Sequence, residues 1–192
     1  MPRIPYPDPA SLPEDVRQRL GATPPNVSRM MAGASAGVFH GFANLTRAFF
    51  EHSPLSARLR EIAILRVGYL SNAPYETFQH ETFARHIGVS QAEIDAVREG
   101  EAKASILGEA GAAVLAFTDD LVRNVRPGDE TLSGVRAHLS DTEVLDLIMV
   151  VGAYIGVCRF LEATGVEIDE RSIDWAAREA SWREKPVSGA NG

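Results

Sequence analysis

Apolar residues recur at intervals of three and four along most of this chain, which is the spacing of core-facing helices. The clearest stripe is Met30, Met31, Val38, Phe39, Phe42, Leu45, Phe49 and Phe50. It predicts a long helix, capped by Asn26 or Ser28 and running to about Glu51. A short helix over Leu12–Leu20 precedes it, with Pro13 near its first turn. His52-Ser53-Pro54 breaks the chain, and Leu55 to Leu70 reads as a central helix, very apolar in its second half. Ser71-Asn72-Ala73-Pro74 is a turn, and Pro74 suits the first turn of a helix from Tyr75 to His86. Gly88 stops that helix, and Ser90 with Glu93 makes a capping box for Gln91–Glu99. Further helices are expected over Leu107–Asn124, Thr131–His138, Asp141–Ala163 (capped by Ser140 and ended by Gly165) and Asp169–Arg183. The terminal Ser-Gly-Ala-Asn-Gly is expected to be a disordered tail.

No stretch alternates apolar and polar residues between hairpin turns, so the fold class is all-α, a single-domain helical bundle. An internal echo suggests a pseudo-repeat of two central helices: LSARLREIAILRVG from residue 55 and LSDTEVLDLIMVVG from residue 139. The proline-rich start reads as an extended arm. The expected organisation is 1–34 for that arm and the start of the first long helix, 35–170 for the helical core, and 171–192 for a C-terminal helix and tail.

Composition narrows the function classes. The 192 residues carry 45% apolar and 23% charged side chains, ordinary for one globular unit. The net charge of −7 argues against non-specific nucleic-acid binding and offers no basic surface to anionic lipid. No apolar run is expected to reach the roughly 20 residues that span a bilayer, and the N-terminus lacks an apolar signal core, so a cytoplasmic protein is expected. One cysteine, Cys158, excludes an intrachain disulfide and a CxxC redox pair. It lies in an apolar helical stretch and reads as a buried, inert thiol.

Three ionisable groups stand out in residues 55–88. Glu76 and His80 are four apart, on one face of a helix. A carboxylate there can hold the imidazole in one tautomer and raise its proton affinity. Glu61 lies on the preceding helix among Ile62, Ile64, Leu65 and Val67, where an unpaired charge is costly to bury. The plainer alternative makes Glu61 and Glu76 solvated first-turn acids favoured by the helix dipole, and His80 a partly buried histidine satisfied by Glu76. Spacing alone leaves both open. His86 falls on another face, and His40, His52 and His138 stand alone. With no HExxH or paired ExxH, no metal site is expected. No glycine-rich phosphate loop and no GxSxG elbow occurs.

The segment LREIAILRVGYLSNAPYETFQHETFARHIGVSQAEIDAV resembles the central motif of the carboxymuconolactone decarboxylase family, which includes the alkylhydroperoxidase D-like proteins. The shared features are Arg-Glu opening an apolar helix, a short turn, Tyr-Glu, a histidine four residues later, and a Gly-Val-Ser break. LSDTEVLDLIMVVGAYIGVCRFLEATGVEID is similar to the family's C-terminal helix, so the resemblance spans roughly residues 35–170. It implies helical subunits joined as a homo-trimer or homo-hexamer. The peroxidase branch places a glutamate and a CxxCxxxH motif on successive helices. Laid on this chain, the glutamate is Glu61 and the histidine His80, but the cysteine positions are Ala73 and Glu76. A thiol peroxidase needs both thiols, so the chain is placed in the branch lacking the CxxC pair.

That branch implies a cofactor-independent decarboxylase, lyase or isomerase. It would act by proton transfer on a small carboxylated lactone or keto acid from aromatic catabolism. His80 would be the general acid/base, Glu76 would orient it, and Glu61 would carry a second proton or position water. Tyr75 and Tyr154 are assigned to the pocket by fold analogy. A small-molecule substrate is the expected partner, with no cofactor, no nucleic acid and no membrane. The alternative function is a non-catalytic binding protein on the same fold.

Overall fold

The computed structural model describes residues 1–184. Among them are ten α-helices and no strand. They are α1 (Glu14–Leu20), α2 (Asn26–Met31), α3 (Ala36–Glu51), α4 (Ala57–Leu70), α5 (Pro74–His86), α6 (Gln91–Glu99), α7 (Ala104–Arg123), α8 (Asp129–Arg136), α9 (Asp141–Thr164) and α10 (Trp175–Glu184).

Helix α4 is the centre of the bundle, packed on α5, α6, α7 and α9. Its residues from Arg60 to Gly68 are all buried, so it is surrounded on every side rather than amphipathic. Ser56 starts it, its side chain accepting from the Leu59 amide. Gly68 lets α5 approach closely: a Cβ there would sit 3.0 Å from Thr77 Cγ2. α9 begins in the same way, with a full capping box of Ser140 and Glu143, and ends at Gly165 (φ 68°) in the left-handed region. The two echoing segments are therefore two capped core helices packed on each other. Arg66, also on α4, pairs with Asp119 of α7 and donates to the Val97 and Arg98 carbonyls at 3.1 and 2.9 Å, tying three helices together.

The structure corrects the sequence reading in three places. The expected helix from Asn26 to Glu51 is two helices, because a turn at residues 32–35 interrupts the run Met-Ala-Gly-Ala-Ser-Ala-Gly. Small residues there offer little apolar area to hold another turn. The last helix begins at Trp175, not Asp169. Its expected first turns are an irregular strap, because Asp169 and the Ile173 amide bond to other parts of the chain. α9 is, by length and composition, apolar enough to cross a membrane, with a mean hydropathy of 2.0 over its most apolar window. Asp141, Glu143 and Asp146 lie near its start and Glu162 near its end, leaving a long apolar centre whose inner face packs on α4 and α7. The expected tail lies outside the described residues.

Candidate active site

The three ionisable groups converge. α4 supplies Glu61, and α5 supplies Glu76 and His80 one turn apart. His80 Nδ1 donates to Glu61 Oε2 at 2.7 Å. On the other side of the ring, Nε2 lies 3.0 Å from Glu76 Oε1. That second contact is an ion pair without an aligned hydrogen bond, because Glu76 Oε1 has no hydrogen-bond partner. Glu61 is 0% exposed, Glu76 4% and His80 5%, so none is a solvated first-turn acid. The bonded partner is Glu61, from the other helix, whereas the spacing suggested Glu76.

Burial alone would depress the His80 pKa, since a cation is costly in a low-dielectric interior. The charges of Glu61 and Glu76, with their contacts to the ring, override this and hold it up to about 10. At neutral pH the group is an imidazolium between two carboxylates. Both ring nitrogens face carboxylate oxygens, and among the described residues no cluster of three or more His, Cys, Asp or Glu is arranged to hold a metal ion.

A fourth charged side chain completes the group. Arg60, next to Glu61, is 4% exposed. Its Nη1 donates to the Phe49 carbonyl at 3.0 Å, and its guanidinium lies over the Phe50 ring, 4.2 Å from the centroid. Its Nε is 3.7 Å from Glu61 Oε1. Arg60 Nε, Glu61 Oε1 and Glu76 Oε1 are buried and make no hydrogen bond within the protein.

Aromatic rings wall the site. Tyr154 of α9 stands edge-on to His80, with centroids 5.2 Å apart. Burial, then the charges of Glu76 and Glu61, push its phenol well above its ordinary pKa and keep it neutral. Trp175 of α10 lies 5.7 Å from His80, stacks on Phe50 at 6.1 Å and contacts Phe83 at 4.5 Å. It is the outer cover of the imidazole.

The strap at residues 165–174 holds that cover in place. Asp169 accepts from Gln79 Nε2 at 2.9 Å, from the Asn26 amide at 2.9 Å and from the Tyr75 hydroxyl. Gln79 Oε1 accepts from the Ile173 amide at 2.8 Å, and the Trp175 indole donates to the Gln79 carbonyl at 3.3 Å. The N-terminal arm joins in: the Arg3 amide donates to the Thr164 carbonyl at 2.7 Å, and the Glu167 amide to the Tyr6 hydroxyl at 3.3 Å. Of the two tyrosines assigned to the pocket, Tyr154 adjoins His80, whereas the Tyr75 hydroxyl anchors the strap.

Sequence reasoning passed over Arg60, Gln79, Asp169 and Trp175. Arg60 carries a signal, a second charge inside an apolar helix. The strap carried none, since its contacts reach back across most of the chain.

Residues 36–119 match the family model for the carboxymuconolactone decarboxylase family. No functionally curated protein matches the chain. Among solved structures, an uncharacterized peroxidase-related protein from Ralstonia eutropha JMP134 with an alkylhydroperoxidase AhpD core is similar at 21% identity and a TM-score of 0.77, covering 88% of this chain and 93% of that one. An uncharacterized peroxidase-related protein from Silicibacter sp. TM1040 is similar at 18% identity and a TM-score of 0.73, covering 88% and 91%. The debrominase Bmp8, as a cysteine-to-alanine variant in complex with 2,3,4-tribromopyrrole, is similar at 17% identity and a TM-score of 0.69, covering 95% and 96%. At these identities the likeness establishes the fold.

Proposed function

We propose that this chain, which carries the carboxymuconolactone decarboxylase family pattern over residues 36–119, is a cofactor-independent carboxy-lyase or isomerase acting by proton transfer. Its substrate is a small carboxylated lactone or keto acid, of the kind met in aromatic-compound breakdown. The observation that carries the reading is the buried imidazolium of His80 held between Glu61 and Glu76.

In the lyase reaction, the bond to a carboxylate β to the substrate carbonyl breaks and CO₂ leaves. The electron pair stays behind as an enolate. The His80 Nε2–H, whose contact with Glu76 is poorly aligned, gives its proton to the carbanionic carbon and becomes neutral. Glu61 keeps the ring oriented through Nδ1, and solvent restores the proton after product release. In an isomerase, the Glu76 carboxylate takes the first proton and His80 returns one elsewhere. The substrate carbonyl is the electron sink in both cases. Trp175 and the strap must move aside to admit substrate. Thiol peroxidase chemistry has no support: the single cysteine, Cys158, is buried, and burial raises its pKa to about 12.

The outer face of α9 supports self-association of the chain. Leu145, Ile148 and Met149 are 63%, 37% and 53% exposed on one apolar helix face. A homo-trimer or homo-hexamer is the expected assembly, and light scattering of the purified protein tests it.

The functional test is turnover of carboxymuconolactone and related lactones and keto acids, followed by absorbance and CO₂ release. His80→Gln is run in parallel. Removing a proton donor of this kind is expected to cost about 10²–10⁴-fold in rate, compared in protein whose fold is verified by circular dichroism and whose assembly is verified by light scattering. Turnover unaffected by His80→Gln would refute the assignment.

A further inference from the structure

Arg60 is anchored without being satisfied. Its planar guanidinium carries five donors in a fixed fork that suits a carboxylate. One donor reaches the Phe49 carbonyl, and the face of the group rests on Phe50. Nε, buried beside the catalytic cluster, has no hydrogen-bond partner. Glu61 cannot serve it fully. The carboxylate is bonded to His80 through Oε2, and its Oε1 is 3.7 Å from Arg60 Nε, beyond hydrogen-bond distance. Holding a cation out of water is costly unless anionic or hydrogen-bonding partners replace the solvent.

We propose that Arg60 binds a carboxylate of the substrate beside His80, against the rings of Phe50, Tyr154 and Trp175, once Trp175 and the strap have moved aside. The inference rests on the proton-transfer reading and names the substrate's anchoring group at that same site. It also decides which carboxylate is held. CO₂ departs uncharged, so a cation on the departing group would stabilise the ground state more than the transition state and slow the reaction. The anchored carboxylate is therefore one that survives, and the substrate of the lyase reaction carries two. Glu61 lies between Arg60 and His80, which fixes the anchor relative to the proton donor.

The test is calorimetric binding of two probes at neutral pH: γ-butyrolactone bearing an acetate side chain, and its methyl ester. A charge-assisted contact predicts that the wild type prefers the acid by about 10- to 100-fold. Arg60→Met should bring acid affinity down to that of the ester, while His80→Gln should keep the preference for the acid. A folded Arg60→Met with an undiminished preference would overturn the proposal. A wild type that binds the acid no better than the ester, or binds neither, would overturn it too. Should Arg60→Met not fold, Arg60→Lys replaces it: the preference should weaken, and an unchanged one overturns the assignment. Failure of the parent reading looks different. Acid preference that depends on Arg60 without any His80-dependent turnover would leave an anion-binding site and remove the lyase.

Discussion

Replacing Glu61 by glutamine removes one charge from the histidine clamp while keeping its shape. The free imidazole value of 6.5 and the folded value of about 10 differ by an amount on the order of 5 kcal/mol, at about 1.36 kcal/mol per pH unit. Two carboxylates supply that against the opposing cost of burial. An opposite charge at this distance typically moves a pKa by about 1–3 units, so Glu61→Gln should lower the His80 value by that much. The assay is a titration of the His80 ring by nitrogen-15 NMR, from acid to strongly alkaline pH, in both proteins. The wild-type ring should remain protonated well above neutrality. The thermodynamic sign follows from linkage. A folded pKa raised above the unfolded one contributes stability that is complete below about 6.5 and is lost as pH rises towards about 10. Denaturant midpoints should fall across that window, and His80→Gln should flatten the fall. A wild-type His80 that titrates at or below its free value, or one indifferent to Glu61→Gln, would refute the electrostatic account of the site.

Other expectations are simpler. In an active preparation, kcat/KM should fall on an alkaline limb near the His80 pKa of about 10, and Glu61→Gln should shift that limb downward. Cys158 should resist a disulfide exchange reagent in the native state at mildly alkaline pH, since burial holds its pKa near 12, and Cys158→Ala should leave turnover intact. Asp119→Asn strips the buried Arg66 of its bidentate partner and should destabilise the fold by about 3–5 kcal/mol in urea melts. Tyr75→Phe removes hydroxyl contacts to Asp169 and the Val27 amide. It should cost about 1 kcal/mol and speed hydrogen exchange at the Ile173 amide with little effect on α4.

The helices with strong local signals were legible. The capping box at Ser90–Glu93 placed α6 on its observed bounds, and the Ser140 cap placed the start of α9. These ends are set by side chains within three residues of each other. The break between α2 and α3 was harder, because a run of alanine, glycine and serine is compatible with a helix or a turn until packing decides. In the site, Glu76 and His80 share a helix, and their spacing announced the contact. The shorter contact of His80 with Glu61 joins α4 to α5, which pack closely at Gly68, and a contact between helices is not read from spacing within one. Arg60 shows the other limit: a sequence gives a charge, but not whether Phe49 and Phe50 will enclose it.

The groups that would handle the proton lie on α4 and α5, whereas their cover comes from the two ends of the described chain. Residues of the arm bond to the strap, and the strap carries Trp175 onto His80. On the proposed reading, reactivity and admission are written in separate stretches of the chain. Libraries confined to the arm and to residues 165–178 could retune which molecules gain access while leaving the acid–base geometry untouched.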